Sequence, residues 1–365
     1  MKIPFIDVVG EYRRLKISNI IQETFLRGDF ILGKNVGDFE QKFAQYNDSK
    51  YCLGVASGTD ALLLSLKALG IGPGDEVITT TFTFISTIFP IIYLGAKPVL
   101  VDINKDTFQI DEEKIIKAIT PKTKAIIPVH LFGYPAPMDK ICKIARKHKL
   151  FIVEDACQAH GSLIDGRKCG SIGNLGAFSF YPTKSLGAPG DGGAIITNSK
   201  KIENEVRALR NVGQFRKYKH DLIGYNSRLD SIHAGILLAK LESLDLRREK
   251  RKKLAKIYDK FLPASVVLPP GETKNLKPNY LIYTIRVKKR NGLQKFLTKV
   301  GISTMVYYPI PNHLQKALKY LNYKKGNFPV AEKVAKEVLS LPLFPELTER
   351  EVKFVCQKIS EFFNR

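Results

Sequence analysis

The stretch FSFYPTKSLGAPGDGG (178–193) places one lysine after an aromatic run and just before a glycine-rich turn. The glycines that follow Lys184 let the backbone bend close to a ligand. A lysine in such a pocket loses its proton more easily than a lysine in water, and a neutral amine can form a Schiff base. The alternative is a surface turn with a chance lysine, since the chain carries 58 lysines and arginines.

A second stretch, LFIVEDACQAHG (150–161), is an apolar strand pattern that runs directly into two acids. An acid at a strand end is commonly a turn residue or a helix cap. The functional interpretation is that Asp155 keeps a ring nitrogen protonated, which pyridoxal phosphate needs in order to act as an electron sink. Gln158, three residues on, could reach the phenolic oxygen of the same ring.

A third stretch, VASGTDALLLSLKALG (55–70), predicts a strand end, a polar turn and an amphipathic helix. Serine, threonine and aspartate are ordinary N-caps, so capping alone would explain the turn. Gly58 and Thr59 also suit a phosphate that rests on free N–H groups at a helix N-terminus. The short strand predicted at 177–181 could offer Ser179 to that phosphate.

The elements that would position these residues alternate along the chain. From about residue 50 to residue 200, short β-rich runs alternate with helical patterns, which predicts an α/β fold with a mostly parallel sheet. Ligands of such sheets collect at the carboxyl ends of the strands. The first fifty residues are predicted to form helices that dock onto this sheet.

A long helical stretch at 231–262, ended by Pro263, leads into a smaller α+β part. We therefore expect a large cofactor-binding domain at 1–240, which includes the N-terminal helices, and a small C-terminal domain at 241–365.

Composition narrows the class of protein. Hydrophobic residues make up 44% of the chain and charged residues 25%, as in ordinary soluble globular proteins. No run of eighteen apolar residues and no secretory signal is visible, so no membrane association is expected. The five cysteines are scattered without a CxxC pair and the six histidines lack metal-ligand spacing, which predicts a cytoplasmic protein without a metal.

The net charge of +23 would permit nucleic-acid binding. However, the basic residues are spread along the chain, and the densest run, LRREKRKKLAK (246–256), has the pattern of a solvated helix face. We expect phosphorylated small substrates rather than nucleic acid.

Four blocks in order, SGTDAL, EDACQAHG, FSFYPTKSLGAPGDGG and GYNSRLD (224–230), closely resemble the DegT/DnrJ/EryC1/StrS family. The resemblance extends from IPFIDVVGEY near the start to SLPLFPELTE near the end. Members of this family are pyridoxal-phosphate aminotransferases that act on nucleotide-linked keto sugars. The resemblance implies the fold type I architecture of aspartate aminotransferase, with a large domain around a mostly parallel sheet and a smaller α+β domain.

The resemblance also implies roles for individual residues. Lys184 matches the Schiff-base lysine, Asp155 matches the partner of the pyridine nitrogen, and Gln158 matches the residue beside the ring hydroxyl. The phosphate contacts of the family are matched by Gly58, Thr59 and Ser179.

Two further matches concern the rest of the cofactor site. Asn226 matches an asparagine that the neighbouring subunit contributes to the phosphate, so a homodimer with shared active sites is implied. Phe84 falls where the family places an aromatic residue on the cofactor ring, although a core phenylalanine is the alternative.

The substrate-binding residues are the least defined. The candidates are Tyr181, Lys219, Arg228 and Tyr308. Lys219 belongs to FRKYKH (215–220), which could bind the pyrophosphate of the substrate or form a solvated loop. Tyr307-Tyr308-Pro309 replaces a common His-Tyr-Pro, and Cys157 stands where alanine is usual.

Together these patterns predict a transaminase that moves an amino group from L-glutamate to a nucleotide-linked keto sugar, with Lys184 as general base and then acid. Lysine at 184, where the dehydratase branch of the family has histidine, favours amino transfer. The motifs resemble enzymes that aminate C3 of the hexose more than those that aminate C4. The alternatives are amination at C4, a non-catalytic regulatory protein with the same fold, and a basic nucleic-acid binder.

Overall fold

The structure, a computed structural model, describes residues 1–13, 15 and 17–364, apart from the side chain of Glu11. Its α-helices are α1 (Val8–Tyr12), α2 (Ile17–Arg27), α3 (Lys34–Tyr46), α4 (Gly58–Ala68), α5 (Phe89–Tyr93), α6 (Glu112–Ala118), α7 (Met138–His148), α8 (Lys200–Leu209), α9 (Ser231–Leu241), α10 (Leu244–Phe261), α11 (Arg290–Lys299), α12 (Pro329–Glu337) and α13 (Glu349–Phe363). Its strands are β1 (Tyr51–Val55), β2 (Glu76–Thr80), β3 (Lys97–Val101), β4 (Thr123–Ile127), β5 (Phe151–Asp155), β6 (Leu163–Ile164), β7 (Arg167–Lys168), β8 (Leu175–Ser179), β9 (Gly193–Thr197), β10 (Gln214–Arg216), β11 (Lys219–His220), β12 (Leu276–Lys277), β13 (Tyr283–Arg286) and β14 (Val338–Leu341).

Seven of these strands form the central sheet, in the order β1-β9-β8-β5-β4-β2-β3. Strand β9 runs antiparallel to both of its neighbours, and the other six strands are parallel to one another. The carboxyl ends of those six strands therefore meet at one edge of the sheet. The predicted mostly parallel sheet is confirmed.

The apolar strand sequences are explained by burial on both faces of the sheet. Successive side chains of a strand point to opposite faces, so Val153 and Ile152 of β5 belong to different apolar cores. The first face packs against α4, α5 and α8. The second packs against α3 and α9 at one end and against α6 and α7 at the other.

Helix α4 is the element that follows β1 directly. The Ser57 hydroxyl accepts a hydrogen bond from the N–H of Asp60 at 3.1 Å and caps the helix, and the leucines that follow are buried. Capping and burial together fix the N-terminus of α4 at the carboxyl edge of the sheet.

The helical stretch predicted at 231–262 is two helices rather than one. Helix α9 is largely apolar and packs against α2 and α3, whereas the charged α10 packs against α13. The different packing partners explain the break at residues 242–243. The end of α10 is as expected, since Leu262 has the extended backbone that a following proline favours.

The C-terminal part contains the β13–β14 pair and helices α11 to α13. Its core also includes Ile3, Phe82 and Phe132 from the N-terminal part. The division near residue 240 stays a prediction. None of the described helices is long and apolar enough to cross a membrane.

Candidate active site

The loops at the carboxyl edge of the sheet enclose a cavity of about 530 Å³. Nine of the twelve site residues expected from the sequence line it, namely Gly58, Thr59, Phe84, Asp155, Gln158, Ser179, Tyr181, Lys184 and Tyr308. They come from the carboxyl ends of β5 and β8, from the segments that follow β1, β2, β5 and β8, and, for Tyr308, from the C-terminal part. The sheet topology therefore brings together residues from segments far apart in the sequence.

Lys184 lies five residues beyond the end of β8, in a turn that is closed by a hydrogen bond from its N–H to the carbonyl of Tyr181 at 2.9 Å. Desolvation in the cavity lowers the pKa of its amine, while Cys157 and Asp155 act in the opposite direction. A lowered pKa increases the fraction of neutral amine, which is the nucleophilic and basic form. The structure thus supports the reactive interpretation of Lys184 over a chance surface lysine.

Asp155 is the last residue of β5 and is almost fully buried. Its Oδ2 accepts a hydrogen bond from the Thr87 hydroxyl at 2.7 Å, and its Oδ1 accepts one from the N–H of Cys157 at 3.2 Å. Its main chain is held to the neighbouring segment by hydrogen bonds with Pro128 and His130. The carboxylate is therefore fixed in the cavity. Its bond to the N–H of Cys157 is one that a turn residue also makes, and its role at a ring nitrogen stays a prediction.

The phosphate cradle predicted at α4 is closely packed. A Cβ atom on Gly58 would lie 2.7 Å from the Ser179 Cβ and 2.8 Å from the Cys157 Sγ, so only glycine fits there. The first N–H groups of a helix have no intrahelical partner, and those of Gly58 and Thr59 are available to an anion.

Gln158 and Tyr308 are joined across the cavity. Gln158 Oε1 accepts a hydrogen bond from the N–H of Phe132 at 2.6 Å, which leaves its Nε2 to donate to the Tyr308 hydroxyl at 3.3 Å. Burial raises the pKa of Tyr308, so its hydroxyl stays protonated and can donate into the cavity.

Phe84 is not a core residue, because 53% of its surface is exposed at the cavity. Its ring centroid lies 6.1 Å from that of Tyr308. The core alternative for Phe84 is therefore wrong, and its stacking role stays a prediction.

Three candidate residues lie outside this cavity. Asn226 is exposed and its Oδ1 accepts a hydrogen bond from Arg228 at 2.5 Å, while Arg228 also donates to Asn211 at 2.8 Å. Lys219 lies on the exposed β10–β11 hairpin. The expected contribution of Asn226 to the site of a neighbouring subunit stays a prediction.

The sequence reasoning missed several residues that line the cavity, among them Phe5, Thr83 and Thr87. Thr83 and Thr87 belong to the run TTTFTFIST (79–87), which begins with the last two residues of β2 and continues beyond its carboxyl end. Polar residues directly after a parallel strand were the signal that could have identified them.

The groups in the cavity fit pyridoxal phosphate. Gly58 and the α4 N-terminus suit its phosphate, Asp155 suits its pyridine nitrogen, and the Lys184 amine suits its aldehyde. Among the described residues, no group of three or more histidine, cysteine or acidic side chains could hold a metal ion.

This sheet, with a lysine and an aspartate at its carboxyl edge, defines a fold type I aminotransferase. The chain belongs to the DegT/DnrJ/EryC1/StrS aminotransferase family, whose model matches residues 13–360. Its cofactor is pyridoxal phosphate, on which the aminotransferases of this family depend.

Individual relatives match all or nearly all of the chain. It is 46% identical over 368 residues to a "Pleiotropic regulatory protein" of Geobacillus stearothermophilus, covering 100% of this chain and 99% of the relative. It is 42% identical to a "UDP-N-acetyl-3-dehydro-alpha-D-glucosamine 3-aminotranferase" of Acidithiobacillus ferrooxidans, an alignment that covers 98% of this chain and 97% of the relative. The solved structure of S. venezuelae DesV "in complex with ketimine intermediate" superimposes with a TM-score of 0.97 at 39% identity. The superposition covers 100% of this chain and 99% of that structure's chain.

Proposed function

We propose that the protein transfers the amino group of L-glutamate to a nucleotide-linked keto sugar, at C3 of a hexose. The observation that carries the proposal is the pairing of Lys184, whose pKa is lowered by desolvation, with the buried Asp155 in one cavity. The relative from Acidithiobacillus ferrooxidans, whose name specifies a 3-aminotransferase, supports the position of amination.

Each of these residues has a part in the chemistry. When bound, pyridoxal phosphate supplies an aldehyde that takes up amino groups and a ring that withdraws electrons. Lys184 Nζ accepts the proton that leaves the α-carbon of the donor and later returns a proton, as general base and then acid. Asp155 holds a proton on the ring nitrogen, and Gly58, Thr59 and Ser179 bind the phosphate.

For the second substrate, the exposed hairpin β10–β11 supplies a positive charge. Arg216, Lys217 and Lys219 are exposed on this hairpin and provide cations for the pyrophosphate of a nucleotide. Tyr181 and Tyr308 line the cavity where the sugar would meet Lys184.

A regulatory role is the second candidate function, because one relative is called a pleiotropic regulatory protein. A binding protein has no need of a reactive amine, so the lysine and aspartate of this cavity favour catalysis. A cytoplasmic location stays a prediction from the cysteine pattern.

The test is the absorbance spectrum of the protein with pyridoxal phosphate, before and after addition of L-glutamate. We expect a cofactor band that glutamate converts to that of pyridoxamine phosphate. Lys184→Ala should lose the lysine-dependent band, whereas Lys274→Ala, at an exposed lysine, should keep it. A band that does not respond to glutamate would contradict the donor, and a band that survives in Lys184→Ala would contradict the role of Lys184.

The position of amination needs a separate measurement. The glutamate-treated protein is offered UDP-linked and dTDP-linked hexoses with a keto group at C3 or at C4, and the product is examined by NMR. Amination of the C4 substrates alone would overturn the choice of C3.

We further propose a homodimer in which Asn226 completes the partner's site. Phe25 and Leu26 of α2 and the nearby Ile31 are exposed apolar side chains, and the main chain of Ile31 pairs with Asp230, which ends the segment 224–230 that carries Asn226. Exposed apolar side chains commonly mark a protein interface when they lie together, and the Ile31 pairing ties these residues to the segment that carries Asn226.

Mixing two inactive variants tests the shared site. In hybrids of Lys184→Ala and Asn226→Ala subunits, one site carries both changes and the other carries neither. After unfolding and joint refolding, about a quarter of all sites in a two-fold dimer should therefore be intact. Activity of the mixture that stays at the level of the separate variants would contradict a shared site.

A further inference from the structure

The carboxylate of Asp155 is held by a threonine for which the family resemblance gives no role. Thr87 ends a short 3₁₀ helix, Ile85–Thr87, in the segment that follows β2, and only 1% of its surface is exposed. Its hydroxyl is 2.7 Å from Asp155 Oδ2. An ionised carboxylate can only accept hydrogen bonds, so the threonine is the donor.

A second threonine determines where the proton of Thr87 points. The hydroxyls of Thr83 and Thr87 are 3.0 Å apart, and both are buried. A hydroxyl has one proton, and that of Thr87 is committed to Asp155. Thr83 must therefore donate to Thr87, which gives the direction Thr83 to Thr87 to Asp155.

The loop that carries both threonines is held by the C-terminal part of the chain. The side-chain amide of Asn312 donates to the carbonyl of Thr83 at 2.8 Å, and the backbone N–H of Asn312 donates to the carbonyl of Thr81 at 2.9 Å. Asn312 is itself buried, with 3% of its surface exposed. These contacts fix the position of Thr83 relative to the sheet.

We propose that Thr87 is a positioning residue for Asp155, and that Thr83 orients it. The hydroxyl of Thr87 stabilises the ionised carboxylate and holds its rotamer, so that Asp155 presents a fixed negative charge to the ring nitrogen of the cofactor. The inference rests on the proposed role of Asp155.

The test compares three variants by two properties of the cofactor complex. Thr87→Val removes the hydroxyl at nearly constant volume, and Thr87→Ser keeps it. Thr79→Val is the matched control, because Thr79 is a buried threonine of β2 whose hydroxyl bonds only the carbonyl of Ile127 among the described residues. The readouts are the dissociation constant for pyridoxal phosphate and the midpoint of the pH titration of the bound cofactor's absorbance.

We expect Thr87→Val to weaken cofactor binding about tenfold or more, as loss of a hydrogen bond to a charged group does, and to displace the pH midpoint by about one unit. Thr87→Ser should restore both properties, and Thr79→Val should leave both unchanged. Wild-type values for a folded Thr87→Val variant, or equal effects in Thr79→Val, would overturn the inference. If Thr87→Val does not fold, Thr83→Val replaces it, with a displacement of the midpoint in the same direction expected and its absence contradicting the inference.

Asp155→Asn separates this inference from the proposal on which it rests. If Asp155→Asn leaves the titration unchanged, the proposed role of Asp155 fails and the inference fails with it. If Asp155→Asn changes the titration and Thr87→Val does not, only the inference about Thr87 fails.

Discussion

His130 and Glu154 form a fully buried pair beside the candidate active site, with His130 Nε2 2.9 Å from Glu154 Oε2. The N–H of Ala136 donates to the other ring nitrogen, so the proton of the imidazole is on Nε2 and the histidine donates to the glutamate. The glutamate also accepts hydrogen bonds from the N–H groups of Gly170, Ile172 and Gly173. Four donors thus compensate for the burial of one carboxylate.

We expect Glu154→Gln to destabilise the protein by about 3 kcal/mol. Whichever way the new amide is oriented, its NH₂ group faces backbone or imidazole donors and leaves them without an acceptor, at about 1–3 kcal/mol each. The measurement is the free energy of unfolding in urea. Glu113→Gln, at an exposed position of α6, should change it by no more than about 0.5 kcal/mol. A loss as small as that of the control would contradict this account of the buried carboxylate.

His160 is a second buried histidine, and its ring packs against those of Phe178 and Phe180 at centroid distances of 5.4 and 5.9 Å. Burial lowers its pKa to about 3, and the charge of Lys184 acts in the same direction. Since an unfolded histidine has a pKa of about 6.5, the unfolded chain binds more protons between about pH 6.5 and pH 3. Stability is therefore lost as the pH falls through this range.

Replacement of His160 should remove this contribution. Between about pH 7.5 and pH 4.5, we expect the free energy of unfolding of wild type to fall by about 3 kcal/mol more than that of His160→Gln. The estimate uses about 1.36 kcal/mol for each pH unit below the unfolded pKa. The measurement is urea unfolding of the cofactor-free protein at several pH values, because ligand binding would add its own pH dependence. Parallel stability curves for wild type and His160→Gln would contradict the lowered pKa. His148→Gln, at the end of α7, controls for the loss of a histidine as such.

The sequence predicted the parts of this protein that depend on local patterns. Apolar runs of strand length and polar residues at their ends placed Asp155 and Ser179 at the carboxyl edge of a parallel sheet, and the structure confirms that edge. The contact between Thr87 and Asp155 joins residues 68 positions apart and depends on the order of the strands, which no local pattern encodes. The break between α9 and α10 follows from their different packing partners, and the proposed role of Asn226 would depend on a second subunit.

Close packing around Gly58 should determine how well the N-terminus of α4 binds the phosphate of the cofactor. We expect Gly58→Ala to weaken binding of pyridoxal phosphate at least about tenfold, because the new Cβ would meet Ser179 and Cys157 below 3 Å and displace the N-terminus of α4. Gly72→Ala is the control, since a Cβ there would meet nothing within 4 Å. The dissociation constants of both variants are measured by titration of the cofactor-free protein with pyridoxal phosphate. Equal affinity in the two variants would show that close packing at Gly58 does not matter for the cofactor.

The β10–β11 hairpin should affect only the half-reaction with the sugar. Lys219 has 69% of its side-chain surface exposed, so its ammonium group is accessible to a phosphorylated substrate, although its Nζ also lies 3.9 Å from Asp221 Oδ1. We expect Lys219→Ala to raise KM for the nucleotide-linked keto sugar about threefold to tenfold. The dependence of that KM on salt should also become weaker, because attraction between exposed charges is screened by salt.

The glutamate half-reaction is the internal control for Lys219, because the donor carries no pyrophosphate. Its rate in Lys219→Ala, followed by the cofactor spectrum in single-turnover experiments, should equal that of wild type. Lys274→Ala should leave both half-reactions unchanged, which would show that net charge alone does not set KM. If Lys219→Ala slowed the two half-reactions equally, the hairpin would act on the cofactor site rather than on the nucleotide. An unchanged KM and salt dependence would mean that FRKYKH is a solvated loop, the alternative that the sequence leaves open.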